Sequence, residues 1–247
     1  INTRVTDILR GEDHVSNTAA QVQMFTALGA PVPRFAHEAL LVGSEGKLSK
    51  RLGSLGAAHF REAGIEPRAL VALLARLGTS DPVDPALDAA ALAASFDLSH
   101  FGRAPARFDD AELERVNAAV VHALPYAAVA DRLPAAMDAA AWEAVRPNLS
   151  RVAEAADWWR VVTGPVAVPA LAQEDRAYLA GAVASLAALE WDAGVWKALT
   201  EALKAQTGRK GKPLFLPLRQ ALTGMDHGPD MAALLPLIGR EAALERL

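Results

Sequence analysis

Apolar residues recur every three or four positions along most of the chain, which is the spacing of amphipathic helices. Near the start the pattern differs: residues 4–9 and 37–42 predict short strands, and residues 15–28 between them predict a helix that Gly29 terminates. Strand, helix, strand is typical of the end of an α/β sheet. The sequence therefore predicts a mainly α protein with an α/β remnant at its start.

From residue 54 onward the pattern predicts helices and no strands. Asp84 is expected to cap the helix that begins at residue 85, and residues 99–108 are expected to form a linker. The predicted helices cover residues 67–77, 85–94, 110–124, 126–133, 139–145, 149–162, 174–189, 193–206, 213–222, 231–238 and 240–247.

Composition narrows the class of protein. The 247 residues are 52% hydrophobic, enough to build a core, and the absence of cysteine excludes disulfides, thiolate zinc sites and cysteine nucleophiles. No apolar run reaches the roughly 18–20 residues of a membrane helix. We therefore expect a cytoplasmic protein with no membrane contact and no zinc site. The net charge of −4 limits any binding of nucleic acid to local basic patches.

One candidate site is a run of cations that follows a predicted turn. Residues 46–51 read Gly-Lys-Leu-Ser-Lys-Arg, so Lys47, Lys50 and Arg51 lie within five residues. Such a segment can bind a polyphosphate, and a cation beside a leaving pyrophosphate stabilises the transition state of nucleotidyl transfer. The alternative is a solvated basic hairpin tip.

A second candidate site follows the first predicted strand. Ligands of open α/β sheets bind at the carboxyl ends of the strands, where Arg10 could bind a carboxylate and Asp13 could accept a hydrogen bond from a ribose. The alternative is that Asp13 or Ser16 only caps the next helix. Residues 12–14 are not expected to bind a metal ion, because neighbours on one turn rarely converge on one ion.

These segments together carry a family resemblance. Residues 5–21, VTDILRGEDHVSNTAAQ, and 37–55, HEALLVGSEGKLSKRLGSL, resemble the second half of the catalytic domain of bacterial class I glutamyl-tRNA synthetases. KLSKR at 47–51 is similar to the KMSKS signature of that class. GRKGKPLFLPLRQALTG at 208–224 and LIGRE at 237–241 resemble the family's C-terminal region, so the resemblance covers nearly the whole chain in order.

The resemblance implies three regions. Residues 1–45 would be the end of a Rossmann-like catalytic domain, 46–105 the signature loop and a stem-contact segment, and 106–247 a helical anticodon-binding region with a subdomain division near 165–173. The family's proteins are usually monomers.

The resemblance also implies a reaction and its residues. ATP, accompanied by Mg²⁺, would activate L-glutamate to glutamyl-adenylate, and the glutamyl group would pass to tRNA(Glu). Lys50 and Lys47 would be the catalytic residues, and Arg10 would bind the glutamate carboxylate. The ATP-binding residues would be Asp13, Lys47, Leu48, Ser49, Lys50 and Arg51.

The chain departs from the family at one place. The second class I signature, His-Ile-Gly-His, is absent, and the chain begins at Ile1 without an initiator methionine. We therefore expect a C-terminal piece of the enzyme that does not activate glutamate by itself, because orienting the reactants is a large share of such catalysis. The alternative is a non-catalytic helical adaptor that binds RNA or a protein.

The helical region offers two groups of candidate tRNA contacts. Arg146, Asn148 and Arg151 flank a proline and could contact an unstacked anticodon base, and some family members carry an arginine in place of Asn148, which leaves charging of tRNA(Gln) open. Residues 201–223 carry five basic residues against one acidic residue. Arg209, Lys210 and Lys212 within this stretch could bind phosphates. The alternative is a solvated loop between helices.

The aromatic residues of the helical region are interpreted as packing residues rather than as stacking platforms. This applies to Trp142, Trp158, Trp159, Trp191 and Trp196.

Overall fold

The computed structural model describes residues 3–43, 46–47 and 56–247 of the chain, and of 46–47 only the backbone. Its internal contacts divide the chain into two compact units, Ile1–Val120 and Val121–Leu247. The division falls within one helix.

The first unit opens with two parallel strands joined by a helix. β1 (Asp7–Gly11) pairs with β2 (Arg34–Glu38), and α1 (Val15–Ala27) lies between them in sequence. The predicted strand, helix, strand start is confirmed, although β1 lies a few residues later than expected. Gly29 ends the helix as predicted: it adopts φ +63°, where a side chain is disfavoured, and its N–H donates to the carbonyl of Thr26.

A second, smaller sheet corrects two predictions. β3 (Leu41–Gly43) pairs antiparallel with β4 (Gly46–Lys47) and parallel with β5 (Ala106–Arg107). The strand predicted at 37–42 is thus the end of β2 and the start of β3. The prediction of no strands after residue 54 was wrong at β5, within the expected linker, because a two-residue strand has no periodicity and is defined by its partner.

Short helices form most of the rest of this unit. They are α2 (Ala57–Glu62), α3 (Pro67–Arg76) and α4 (Ala89–Ala94). α4 begins later than predicted because Asp88, not Asp84, accepts the N-cap hydrogen bond from the N–H of Ala91 at 2.8 Å. The Asp84 carboxylate instead accepts from the N–H of Ala86 in a turn.

The core of the first unit is small. Phe60, Leu73 and Phe108 are buried, and the rings of Phe60 and Phe108 lie 5.8 Å apart. The buried Asn117 side chain accepts a hydrogen bond of 2.7 Å from the N–H of Glu66 at the start of α3, which fixes α3 against the helix Asp110–Ala123 that carries Asn117.

The second unit is helical throughout the residues described. α5 (Asp110–Ala123) leads into it, followed by α6 (Ala139–Val145), α7 (Ala155–Thr163), α8 (Gln173–Ala187), α9 (Val195–Thr207), α10 (Lys212–Thr223), α11 (Met231–Ile238) and α12 (Arg240–Arg246). Single 3₁₀ turns connect them at Tyr126–Ala128, Ala130–Arg132, Arg146–Asn148 and Val152–Glu154.

Two predicted helices were wrong in this unit. Residues 126–133 form two 3₁₀ turns rather than one helix, and the helix predicted at 149–162 begins only at Ala155. In the second case the Glu154 carboxylate accepts hydrogen bonds from the N–H groups of Ser150 and Arg151, so the extended residues before Val152 are held outside the helix. The spacing of apolar residues in the sequence does not reveal such a side-chain cap.

One apolar core holds this unit together. Trp142 is fully buried and its indole N–H donates to the carbonyl of Leu124 at 2.9 Å. Trp196 is also buried, and Trp158, Trp159 and Trp191 pack partly buried against the same core, as predicted for packing residues. No helix in the described part of the chain is long and apolar enough to span a membrane.

Arg246, near the end of α12, forms hydrogen bonds with the ends of two other helices. Its guanidinium donates to the carbonyls of Val161, Val162 and Gly164 at the end of α7 and to that of Leu222 in α10, at 2.7–3.0 Å. Burial lowers the pKa of Arg246 from its ordinary value, but the group stays a cation at neutral pH.

We predict that Arg246→Ala lowers the free energy of unfolding by about 2–4 kcal/mol, because it leaves several carbonyl oxygens without their donor. Urea denaturation would measure this. The matched control is Arg160→Ala, since the ion pair of Arg160 with Asp157 is solvent-exposed and should contribute less than about 1 kcal/mol. Equal losses in both variants would contradict the role of Arg246.

The pKa of His100 is predicted to depend on Asp81. The carboxylate lies 2.9 Å from His100 Nδ1, and this hydrogen bond raises the pKa of the imidazole above 6.5. A raised folded-state pKa stabilises the fold below the unfolded pKa, and this contribution is lost as pH rises through the folded pKa. NMR titration should show the His100 pKa falling toward 6.5 in Asp81→Asn, and an unchanged pKa would refute the pairing.

Candidate functional site

Arg10 lies near the carboxyl end of β1, as predicted, directly across the ladder from His37 of β2. Its Nη2 donates to Thr18 Oγ1 of α1 at 2.5 Å, and its guanidinium lies 5.2 Å from the ring centre of Phe35. The Nε atom is buried and has no hydrogen-bond partner among the residues described. The side chain is therefore held in place, with one buried N–H donor that has no partner among the residues described.

The sequence did not indicate Thr18 or His37 as part of this site. Thr18 Oγ1 lies 2.8 Å from His37 Nε2 and donates to the carbonyl of His14 at 3.1 Å. Side chains alternate across a strand, so Arg10 and His37, opposite each other in a parallel pair, face the same side of the sheet. The register would have revealed this, but the sequence does not give the register.

Asp13 follows β1 in the turn Glu12–His14 and is exposed. The alternative that Asp13 or Ser16 caps α1 is wrong, because α1 has no side-chain cap and Ser16 donates to Asn17 instead. A Cβ at Gly11 would lie 2.7 Å from Asp13 Oδ1, at the far end of an exposed side chain that is free to turn away. The carboxylate thus stands at the end of β1 without a capping role.

A cavity of about 600 Å³ lies beside the ends of the two strands. Leu9, Glu12 and His37 line it on the strand side, with Phe96 and Phe101 from the segment that follows α4. Its volume falls in the range of small-molecule sites. Arg10 is not among the lining residues, so the cavity and the Arg10 guanidinium are separate features of this region.

The cation-rich segment is not tested by the structure. Leu48, Ser49, Lys50 and Arg51 lie outside the described residues, and for Lys47 only the backbone is described, paired with Val42 in the small sheet. Their assignment as ATP-binding residues stays a prediction. In the part of the chain with described side chains, no three His, Cys, Asp or Glu residues come together to hold a metal ion.

The first group of candidate RNA contacts lies around one 3₁₀ turn. Arg146 donates to the carbonyl of Leu124 at 2.9 Å and pairs with Glu143 at 2.6 Å, so the protein itself engages its guanidinium. Asn148 is exposed. Arg151 donates to the carbonyl of Ser150. Arg146 and Asn148 lie on one 3₁₀ turn, and Arg151 lies directly before the next. Asn148 is the more accessible of the two candidates on the first turn.

The second group of candidate RNA contacts also contains one arginine that contacts the protein itself, beside two exposed lysines. Arg209 pairs with Asp175 at 2.6 Å, donates to the carbonyls of Glu174 and Pro213, and lies 4.3 Å from the ring centre of Tyr178. Burial of the Tyr178 phenol raises its pKa to about 12. We call the contacts among Arg209, Asp175 and Tyr178 the arginine clasp.

The clasp fixes the loop that carries the two lysines. Gly208 and Gly211 adopt φ +69° and +59°, which other residues rarely adopt, and they turn the chain from α9 into α10. Lys210 and Lys212 are exposed on this turn, whereas Arg209 faces the protein. The loop therefore presents two cations to solvent on a rigid support.

Two family models match the chain in succession. The model described as tRNA synthetases class I (E and Q), catalytic domain, matches residues 1–116, and the anticodon binding domain matches residues 107–247. The two models overlap at residues 107–116, whereas the internal contacts divide the chain after Val120 and the predicted division lies at residue 105. Because these positions differ, the three-region division stays a prediction.

Curated relatives agree with these models. The chain is 72% identical to Glutamate--tRNA ligase 1 of Novosphingobium aromaticivorans over 98% of its own length and 55% of that protein. It is 64% identical to Glutamate--tRNA ligase 2 of Erythrobacter litoralis over all of its length and 56% of that protein. The chain thus spans about half the length of the curated relatives it matches.

Solved structures show the same fold. A crystal structure of a glutamate tRNA ligase from Elizabethkingia meningosepticum, in complex with its amino acid, matches 99% of this chain and 56% of that chain with a TM-score of 0.82. The sequence identity is 23%, so this likeness concerns the fold alone.

The arginine clasp gives a stability prediction. Arg209→Ala should lower the free energy of unfolding by about 2 kcal/mol or more, because it leaves Asp175 partly buried without its partner. Lys210→Ala, next to it and exposed, should change the value by less than about 0.5 kcal/mol. Urea unfolding compares the two variants, and a Lys210 effect as large as that of Arg209 would argue against the clasp.

Proposed function

Because the chain belongs to the class I tRNA synthetases of the glutamate and glutamine group, we propose that it is the C-terminal part of a glutamate–tRNA ligase. The observation that carries the proposal is the order of the two matched domains along one chain, together with the 72% identity to a relative named as such a ligase. The reaction joins L-glutamate to tRNA(Glu) and converts ATP to AMP and diphosphate.

Arg10 would bind the substrate carboxylate. Its position at the carboxyl end of a parallel strand is the usual place for a ligand in such sheets, and its buried Nε has no partner among the described residues. A guanidinium offers a planar set of donors that matches a carboxylate. Asp13, exposed beyond the same strand, would contact ATP.

Lys50, supported by Lys47, would neutralise the triphosphate as the adenylate forms. In this step a glutamate carboxylate oxygen attacks the α-phosphorus of ATP, and the bond to the diphosphate leaving group breaks. A cation at the leaving group stabilises the transition state more than the ground state. Mg²⁺ would accompany the ATP phosphates.

tRNA(Glu) would bind to the second unit. Lys210 and Lys212 would contact phosphates, and Asn148 with Arg151 would meet an anticodon base, whereas Arg146 and Arg209 would support these residues through their contacts with the protein. Charging of tRNA(Gln) would depend on the turn that carries Asn148. We further propose a monomer that works in the cytoplasm, where translation takes place.

The activity can be tested with a hybrid protein. The N-terminal part of the Novosphingobium relative that precedes the matched segment would be joined to this chain, with the intact relative as the reference. With tRNA(Glu) present, we expect glutamate-dependent exchange between ATP and pyrophosphate from the hybrid and none from the 247-residue chain. Exchange by the chain itself would refute the expectation that it does not activate glutamate alone.

A substitution tests the signature loop in the same hybrid. Lys50→Ala should slow the exchange by about 100-fold or more, because a charge at the leaving group is lost, and tRNA affinity should change little. Lys197→Ala, an exposed lysine on α9, is the matched control. An unchanged rate in Lys50→Ala would reject the assignment. A hybrid that binds RNA but never charges it would support the adaptor alternative.

A further inference from the structure

The Thr18 hydroxyl is the centre of a hydrogen-bonded group on one face of the sheet. It is within hydrogen-bond distance of Arg10 Nη2 at 2.5 Å, of His37 Nε2 at 2.8 Å and of the carbonyl oxygen of His14 at 3.1 Å. Arg10, Phe35 and His37 share this face, and Thr18 reaches it from α1. One small side chain therefore links both strands and the helix between them.

The numbers of donors and acceptors around the Thr18 hydroxyl determine the direction of each of its three hydrogen bonds. A hydroxyl has one proton to donate and two lone pairs to accept with. The guanidinium of Arg10 can only donate, so its N–H takes up one lone pair of the Thr18 hydroxyl oxygen. If the hydroxyl proton goes to the carbonyl of His14, the second lone pair accepts from a protonated Nε2 of His37. All three contacts are satisfied only with this arrangement.

The arrangement restricts Arg10 on two sides. Thr18 fixes the Nη2 atom, and the Phe35 ring lies against the guanidinium at 5.2 Å from its centre. The Nε atom remains buried with no partner among the residues described. A long side chain loses much rotamer freedom on binding a ligand, and holding it beforehand removes most of that cost.

We propose that Thr18 and His37 are positioning residues that hold Arg10 in the orientation that binds the substrate carboxylate. This inference rests on the proposed function, in which Arg10 contacts glutamate. Neither residue touches the reacting atoms. Their effect is therefore expected in the apparent affinity for the amino acid and not in the binding of ATP.

The test compares three threonine variants in the hybrid protein. Thr18→Val keeps the shape of the side chain and removes the hydroxyl, so the KM for glutamate should rise about tenfold while the KM for ATP and the melting temperature stay near the parent values. Thr18→Ser restores the hydroxyl and should restore the KM. The matched control is Thr26→Val, because the Thr26 hydroxyl on the same helix donates to the carbonyl of Val22 and has no other hydrogen-bond partner among the described residues.

Arg10→Ala separates this inference from the proposed function. If Arg10→Ala raises the KM for glutamate and Thr18→Val does not, the positioning role is rejected and the ligase assignment stands. If Arg10→Ala leaves that KM unchanged, the assignment of Arg10 itself is wrong. A rise in both KM values in Thr18→Val, or an equal rise in Thr26→Val, would show a general structural effect and overturn the proposal.

NMR of the 247-residue chain shows directly which ring nitrogen of His37 carries the proton, and it does not depend on enzyme activity. At a pH where the ring is neutral, the ¹⁵N shifts of His37 should show the proton on Nε2, and Thr18→Val should move the ring toward a mixture of tautomers. A proton on Nδ1 in the parent chain would contradict the assigned direction of the bond.

Discussion

The parallel pairing of β1 and β2 is the constraint on which the first unit depends. Its register sets Arg10 opposite His37 and gives Arg10, Phe35 and His37 one common face. A shift of β2 by one residue would turn Phe35 and His37 to the face opposite Arg10, because the side-chain period of a strand is two. The chain between the strands must then place Thr18 over that face, which the helix α1 does. The arrangement that we propose to bind a carboxylate thus follows from backbone hydrogen bonds.

Three arginines stabilise the helical unit through hydrogen bonds and ion pairs within the protein. Arg246 satisfies carbonyls at two helix ends, Arg209 joins a loop to α8, and Arg146 supports the carbonyl of Leu124 beside Trp142. A guanidinium can satisfy several acceptors at once because its donors form a planar fork. Such residues leave fewer free cations than the sequence suggests. The acidic net charge and the presence of local basic positions are therefore compatible, with Lys210 and Lys212 as exposed examples.

The two units differ in how much of their apolar surface is covered. In the helical unit the long apolar side chains of the helices meet in one core around Trp142. In the first unit several large apolar residues of the strand and helix region are exposed, among them Leu9, Met24 and Leu28. The curated relatives that the chain matches are nearly twice as long.

The sequence by itself determined the features that depend on local spacing and on motif order. The helix α1 with its stop at Gly29, most helices of the second unit and the family followed from periodicity, from glycine and from the signature segments. Tertiary structure alone decided the rest. β5 exists only because β3 pairs with it, Glu154 delays the start of α7, and Arg209 turns inward because Asp175 and Tyr178 lie there. Likewise Thr18 and His37 join Arg10 only through strand register. The physical reason is that a hydrogen bond between distant residues leaves no periodic trace in the chain.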